Sequence, residues 1–253
     1  AQSKFEAALE IATREDISNL KYSILNELGN IHLIRGDYAK AAFYYEGVIV
    51  NISNLYNRFQ TINNIVQVYA YEGNFSKAIE YLKEAEEFGY IYSSQYFKIN
   101  YLLSSSYLDY MLCNYEKSIK TWKELISISL KSGLTYYVYI GNLNIGICSY
   151  YMKDFDTSKE YYDIALELGK DFGEGEKIYL DYWRALLRKE FEIDASIEKD
   201  ISKALNYYTD KSMSYEKVHS IYHLADYYIR SGNKKKAVEY IRESFNEGEK
   251  KKF

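Results

Sequence analysis

The chain has 253 residues and contains no proline, only two cysteines and only three histidines. Proline lacks an amide donor and clashes inside helices, so its absence points to helices joined by short connections. Cys113 and Cys148 form no short-spaced motif and suggest no disulfide framework, which favours a reducing, cytoplasmic setting. Three histidines leave little for acid–base work, and no Gly-rich phosphate loop, nucleophile elbow or zinc-protease motif is present. No enzymatic activity and no cofactor are expected. The net charge of −4 argues against the chain itself binding nucleic acid, and the basic patch Lys234-Lys235-Lys236 reads as solvated surface at a helix start. The uncharged stretch Ser132–Met152 is long enough to span a bilayer. It is diluted by Gly133, Gly141, Asn142, Asn144, Gly146 and Ser149, so it reads as a helix buried on most sides, and no membrane partner is expected.

Hydrophobic residues make up 47% of the chain, ample for a folded core. Aromatics reach 17%, with 31 tyrosines against 2 tryptophans, giving many side chains that pack at one end and hydrogen-bond at the other. The bias toward Tyr, Lys, Ile and Asn also fits an AT-rich genome, so tyrosine abundance alone says little about function.

A repeat organises the sequence. The joint "GDYAKA" at 36–41 recurs as "GNFSKA" at 73–78, "CNYEKS" at 113–118, "KDFDTS" at 153–158 and "GNKKKA" at 232–237. The intervals are 37, 40, 40 and 79 residues, so one further joint is expected near residue 193, with "DISKALNYY" (200–208) as its second helix. An apolar-periodic helix precedes each joint, as in Leu25, Leu28 and His32. An aromatic and a small residue follow three apart, as in Tyr38/Ala41 and Phe75/Ala78, and then a second apolar helix. Gly or Asn at the break supplies a left-handed or capping conformation. No helix pair of this kind buries its apolar face alone, so neighbours must stack.

The Leu-Gly-Asn … Gly-Asp-Tyr … Ala pattern of residues 28–41 resembles a tetratricopeptide repeat, a two-helix unit of about 34 residues. Similar patterns cover almost the whole chain, with Gly29, Ser106, Gly146 and Ala225 in the small slot of the first helix and Val66 as a departure. The resemblance implies an all-α, right-handed superhelical solenoid of about six helix-turn-helix repeats of 37–40 residues, forming a single domain over 1–253. In that register residues 1–15 are the second helix of a truncated repeat, with Phe5 and Ala8 in the aromatic and small slots. Residues 16–231 carry the repeats, and 232–253 form a last helix or cap. The unpaired first helix suggests a fragment from which an upstream module was removed.

In this fold the first helices line an inner groove, which the register populates with Asn26, Asn30, Gln60, Asn63, Gln67 and Asn100, then Tyr107, Leu143, Tyr150, His219, Tyr222 and Asp226. A side-chain amide both donates and accepts, so a row of them can hold an extended peptide backbone while apolar neighbours choose side chains. The alternative is that the amides only solvate an open groove. None of the groove positions is Lys or Arg, which disfavours capture of a partner's C-terminal carboxylate. His219, His223 and Asp226 at i, i+4 and i+7 have metal-compatible spacing, but groove contacts are the preferred role and no metal is expected.

Long repeats, an amide-rich groove and this composition resemble the peptide-binding domains of cytoplasmic quorum-sensing receptors of Gram-positive bacteria. That resemblance implies a non-catalytic regulatory domain whose groove binds a short signalling peptide and passes a change of curvature or dimerisation to an N-terminal effector. The effector would commonly be a DNA-binding helix-turn-helix, so nucleic acid would be reached only through that absent module, and a homodimer is one expected assembly. In the phosphatase branch of the family the working residues would lie in an absent N-terminal bundle. A generic scaffold docking a protein partner is the alternative.

Overall fold

The computed structural model describes residues 2–50, 54–92 and 94–251. Among them are thirteen helices and no strand: α1 (Gln2–Arg14), α2 (Ser18–Ile34), α3 (Tyr38–Ile49), α4 (Leu55–Tyr71), α5 (Phe75–Tyr92), α6 (Gln95–Met111), α7 (Tyr115–Lys131), α8 (Thr135–Tyr151), α9 (Phe155–Leu168), α10 (Glu174–Lys189), α11 (Ala195–Asp210), α12 (Ser214–Arg230) and α13 (Lys234–Lys251). The all-α repeat fold read from the sequence is the fold observed. After α1, α2 packs with α3, α4 with α5, α8 with α9, α10 with α11 and α12 with α13, and the start of α7 bonds α6 through Ser118 Oγ to Ser106 O at 2.8 Å.

Each repeated joint is built from backbone conformation. Gly36, Gly73 and Gly232 take φ of 70°, 77° and 78°, and the equivalent Cys113 and Lys153 take 59° and 62°. A left-handed residue at this position lets the next amide reach back to the carbonyl five residues earlier, satisfying helix-end groups. Asp37 N bonds His32 O at 2.9 Å, and the same bond recurs from Asn74 N to Tyr69 O at 2.8 Å and from Asp154 N to Ser149 O at 2.9 Å. At Asn74, Asp154 and Asn233 the residue after the break also caps the next helix, whereas Asp37 makes no side-chain cap bond. Asp154 accepts from Thr157 N at 3.2 Å and Asn233 from Lys236 N at 3.2 Å. The joint between α10 and α11 differs: Asp194 caps α11 through Ser196 N at 2.6 Å, and no left-handed residue breaks the chain there.

The chain divides within α7 into two compact units, residues 1–121 and 122–253. In the first, a core centred on Phe59, Ile62, Ile65 and Tyr45 joins α3, α4 and α5, with Phe97 packed edge-on to Phe59 at 4.6 Å between ring centroids. His32 is buried, stacked on Tyr44 at 5.4 Å, in the packing slot expected for it. In the second, α8 is buried on most of its circumference, including Asn142, Asn144 and Ser149. No helix among the described residues is long and apolar enough to cross a membrane.

Close approach within hairpins depends on the small slot of the first helix. A Cβ placed on Gly29 would lie 2.4 Å from Tyr45 Cε1, and one on Gly146 would lie 2.5 Å from Tyr162 Cε1. A polar fastening recurs at the other end of the hairpins. Lys77 Nζ donates to the Tyr69 hydroxyl at 2.9 Å and sits 4.6 Å above its ring, while that hydroxyl bonds Glu46. Lys236, Tyr228 and Glu198 repeat the arrangement, with Lys236 Nζ at 2.8 Å and 4.6 Å.

Candidate ligand-binding faces

In the first unit the first helices of the hairpins are α2, α4 and α6, and their amides interact mostly with each other. Asn64 Nδ2 lies 3.3 Å from Asn30 Oδ1 and 3.5 Å from Asn26 Oδ1, so one amide bridges two neighbours on the preceding first helix. The buried Tyr45 hydroxyl donates to Asn30 Oδ1 at 2.5 Å. Asn26 and Asn30 thus turn their carbonyl oxygens toward protein donors, and their NH2 groups remain. Asn63 is a clamp: it donates to Phe59 O at 2.8 Å and accepts from Ser104 Oγ at 2.6 Å, tying α4 to α6. Asn100 donates to Tyr96 O at 2.9 Å within its own helix. Gln60 is exposed, with Nε2 3.4 Å from the Tyr56 hydroxyl. Gln67 is half-buried and its amide has no hydrogen-bond partner among the described residues. Tyr107 is half-buried on α6. The row of side-chain amides read from the sequence is thus partly engaged within the chain, with Gln67 the uncommitted member.

In the second unit the first helices are α8, α10 and α12, and a polar network connects them. Lys189, at the end of α10, is 2% exposed. Its ammonium bonds Asp226 of α12 and lies 3.0 Å from His223 Nδ1. With Lys189 charged, His223 Nδ1 is the acceptor, and His223 is the neutral tautomer protonated on Nε2. Arg230 pairs with Asp226 at 3.2 Å and with Glu190 at 3.0 Å, and the Tyr150 hydroxyl of α8 donates to Glu190 at 2.9 Å. His219 lies between two tyrosines, with Nδ1 2.8 Å from the Tyr182 hydroxyl and Nε2 3.1 Å from the Tyr151 hydroxyl. Both its ring nitrogens are committed, and His223 Nδ1 is held by a cation. The metal-compatible spacing of His219, His223 and Asp226 is thus absorbed by protein contacts. Among the described residues no group of three or more His, Cys, Asp or Glu side chains could hold a metal ion.

This network brings together Tyr150, His219 and Asp226 of the residues singled out in the sequence, with Tyr222 exposed beside them and 5.1 Å from the His223 ring. Leu143 is the exception. It is fully buried and belongs to the core, so it forms no pocket wall. Lys189, Glu190, Arg230, Tyr151 and Tyr182 were not found from sequence. A signal existed: helical spacing places Lys189 on the same stripe as the buried Ile178, Tyr182, Ala185 and Leu186, so a charged residue had to be buried there.

Burial, with the Lys189 charge adding to it, lowers the His219 pKa to about 4, and burial with neighbouring positive charge also depresses His223. Burial lowers Lys189 as well, against the pull of Asp226. Burial works to raise Asp226, yet Lys189 and Arg230 hold it below the usual carboxylate range. A histidine whose folded pKa lies below its unfolded value of about 6.5 binds fewer protons when folded, so stability falls as pH drops from about 6.5 toward 4. From His219 alone the chain should be about 2 kcal/mol less stable at pH 5 than at pH 8. Urea denaturation at the two pH values checks this, and His219→Gln should reduce the difference by about that amount, leaving the share of His223.

Residues 59–88 and 218–246 each match the tetratricopeptide repeat family. Counted from their first residues, the two segments carry the paired fastenings, Tyr69/Lys77 and Tyr228/Lys236, at the same positions. A comparison with curated proteins found no match. Among solved structures, the chain is similar to a Rap protein complexed with competence and sporulation factor, with 14% identity and a TM-score of 0.73, over 99% of this chain and 71% of that one. It is similar to the apo form of RapI at 11% identity and TM-score 0.69, over 99% and 98% of the two chains. Aspartyl phosphate phosphatase F from Bacillus subtilis gives 13% identity and TM-score 0.69, over 90% of this chain and 59% of that one. At such identities the likeness is one of fold. Two segments of the chain thus match the tetratricopeptide repeat, and the chain takes a fold like that of the Rap proteins.

Proposed function

We propose that this chain is a non-catalytic, peptide-binding regulatory module, with an extended peptide lying along the first-helix face of the first unit. The observation that carries the reading is the set of amide groups left available on that face: the whole Gln67 amide, the NH2 groups of Asn26 and Asn30, and the carbonyl oxygen of the exposed Gln60, whose Nε2 meets the Tyr56 hydroxyl. Carbonyls of an extended peptide are the natural acceptors for the NH2 groups, and its N–H groups the natural donors to the amide oxygens. The aromatic and ionic face of the second unit, with Tyr222 exposed, is a separate surface on which side chains of a ligand can be selected. The likeness to a Rap protein solved with competence and sporulation factor supports a ligand-binding role for the fold. Because Asn63 and Asn64 tie adjacent first helices, a ligand that competes for them shifts how the hairpins pack, and that shift is the signal to an effector, DNA-binding or otherwise. A ligand moves such an equilibrium only by its differential affinity for the two states.

Gln67→Ala is the discriminating variant, since it removes an uncommitted amide and no internal bond. In calorimetry with short secreted-type peptides it should weaken binding about tenfold, the value of one or two hydrogen bonds. Unchanged affinity would sink the amide reading. A protein-docking scaffold is the second reading, favoured by a cleft of about 390 Å³ lined by Lys159, Asp163, Arg184, Arg188 and Phe191 between α9, α10 and α11. A stable protein partner whose binding is lost in Arg184→Ala, with no response to peptides, would establish that reading instead.

A further inference from the structure

We infer that the cleft between α9, α10 and α11 binds a free α-amino acid with an apolar side chain, held through both of its charges. One position of the repeat accounts for the cleft. Five residues before the end of each first helix stand Gly29, Val66, Ser106, Gly146 and Ala225, all buried. In α10 the same place is taken by Arg184, whose side chain is 37% exposed. A guanidinium cannot be sealed between two helices without losing its hydration, so the helices stay parted there around a volume of about 390 Å³. A residue that breaks the rule kept by all its counterparts points to a site rather than to folding.

Arg184 is also short of partners. Asp163 of α9 and Asp181, one turn earlier in α10, each lie 3.9 Å from it, too far for a hydrogen bond. Lys159, one turn before Asp163, lines the cleft and makes no ion pair or hydrogen bond among the described residues. The remaining charged pair of the lining is closed: Arg188 bonds Asp200 at 2.5 Å and Ser196 Oγ at 3.0 Å.

Two cations and two carboxylates therefore face the cleft with hydrogen-bonding capacity unspent, and their charges cancel. A simple anion is repelled by Asp163 and Asp181, and a simple cation by Lys159 and Arg184. A zwitterion satisfies both pairs. Its carboxylate accepts from Arg184 and Lys159, and its ammonium donates to the two aspartates. In an α-amino acid both charged groups sit on one carbon, which suits a guanidinium flanked this closely by carboxylates. The apolar wall lies past Arg184: Leu187 is buried, and Phe191, 70% exposed, packs edge-on to Phe155 at 5.5 Å. A large apolar side chain lies over Leu187 toward that ring. The inference stands apart from the peptide reading, which concerns other faces of the chain.

Ligand-observed NMR titration of the 253-residue chain with L-phenylalanine should give a dissociation constant below about 1 mM. Hydrocinnamate lacks the ammonium and phenethylamine the carboxylate, and each should bind at least about tenfold more weakly. Arg184→Ala should weaken phenylalanine at least about tenfold while raising the melting temperature, because alanine restores the small residue that α12 carries as Ala225. No saturation up to about 20 mM overturns the proposal. So does equal affinity for hydrocinnamate, or phenylalanine binding that survives Arg184→Ala. A protein partner captured through Arg184, with no response to phenylalanine, overturns it too and leaves the cleft to the scaffold reading.

Discussion

Asp226→Ala should destabilise the second unit by about 3–5 kcal/mol, the range for removing one partner of a buried ion pair. The Lys189 side chain is 1% exposed, so its ammonium cannot be rehydrated in the folded state. Without Asp226 it retains His223 Nδ1 at 3.0 Å, a neutral acceptor, while Arg230 remains nearby as a like charge. Lys189→Met should cost far less, because Asp226 is 28% exposed and keeps Arg230 at 3.2 Å. The order is the test, since the double variant Asp226→Ala/Lys189→Met should recover most of what the first substitution lost. Urea denaturation of the four proteins measures the cycle. An Asp226→Ala protein within 1 kcal/mol of the parent would mean that the network is not closed in solution.

Gly146→Val should cost about 3 kcal/mol, from overlap that a packed hairpin cannot relieve. The new Cβ would lie 2.5 Å and 2.6 Å from two carbons of the Tyr162 ring and 3.2 Å from the backbone oxygen of Ser158. Tyr162 is 1% exposed, so its ring has no free volume to swing into. The helix itself would gain from losing a glycine, by a few tenths of a kcal/mol for valine, and overlap exceeds that several-fold. Gly248 of α13 is the control: a Cβ there meets nothing within 4 Å, so Gly248→Ala should be neutral or mildly stabilising. Differential scanning calorimetry should show Gly146→Val melting roughly 6–12 °C lower. Tyr162→Leu in the Gly146→Val background should recover part of the loss, and no recovery would place the cost elsewhere than in this contact.

The architecture was legible because the repeat is written in local chemistry. The left-handed joint, the aromatic and the small residue recur at a fixed spacing, and each has a local geometric job that tertiary context does not override. The face chemistry was less legible. Hydrogen bonding between amides depends on which first helices become neighbours and at what depth, so the roles of Asn63 as a clamp and of Asn64 as a bridge do not follow from helical spacing. Leu143 sat in the right register and is buried nonetheless. Lys189 escaped because the joint between α10 and α11 lacks the left-handed signature that fixed the register elsewhere, leaving its face unassigned.

The left-handed joints also bear on how the chain assembles. The breaks at Gly36, Gly73, Cys113, Lys153 and Gly232 are made by left-handed backbone, and the sequence holds no X–Pro bond. Rotation about φ is fast, whereas prolyl isomerisation takes tens of seconds and sets the pace of refolding in many proteins. That slow clock is missing here, so hairpins lost to a local opening can close again at the pace of helix and loop formation.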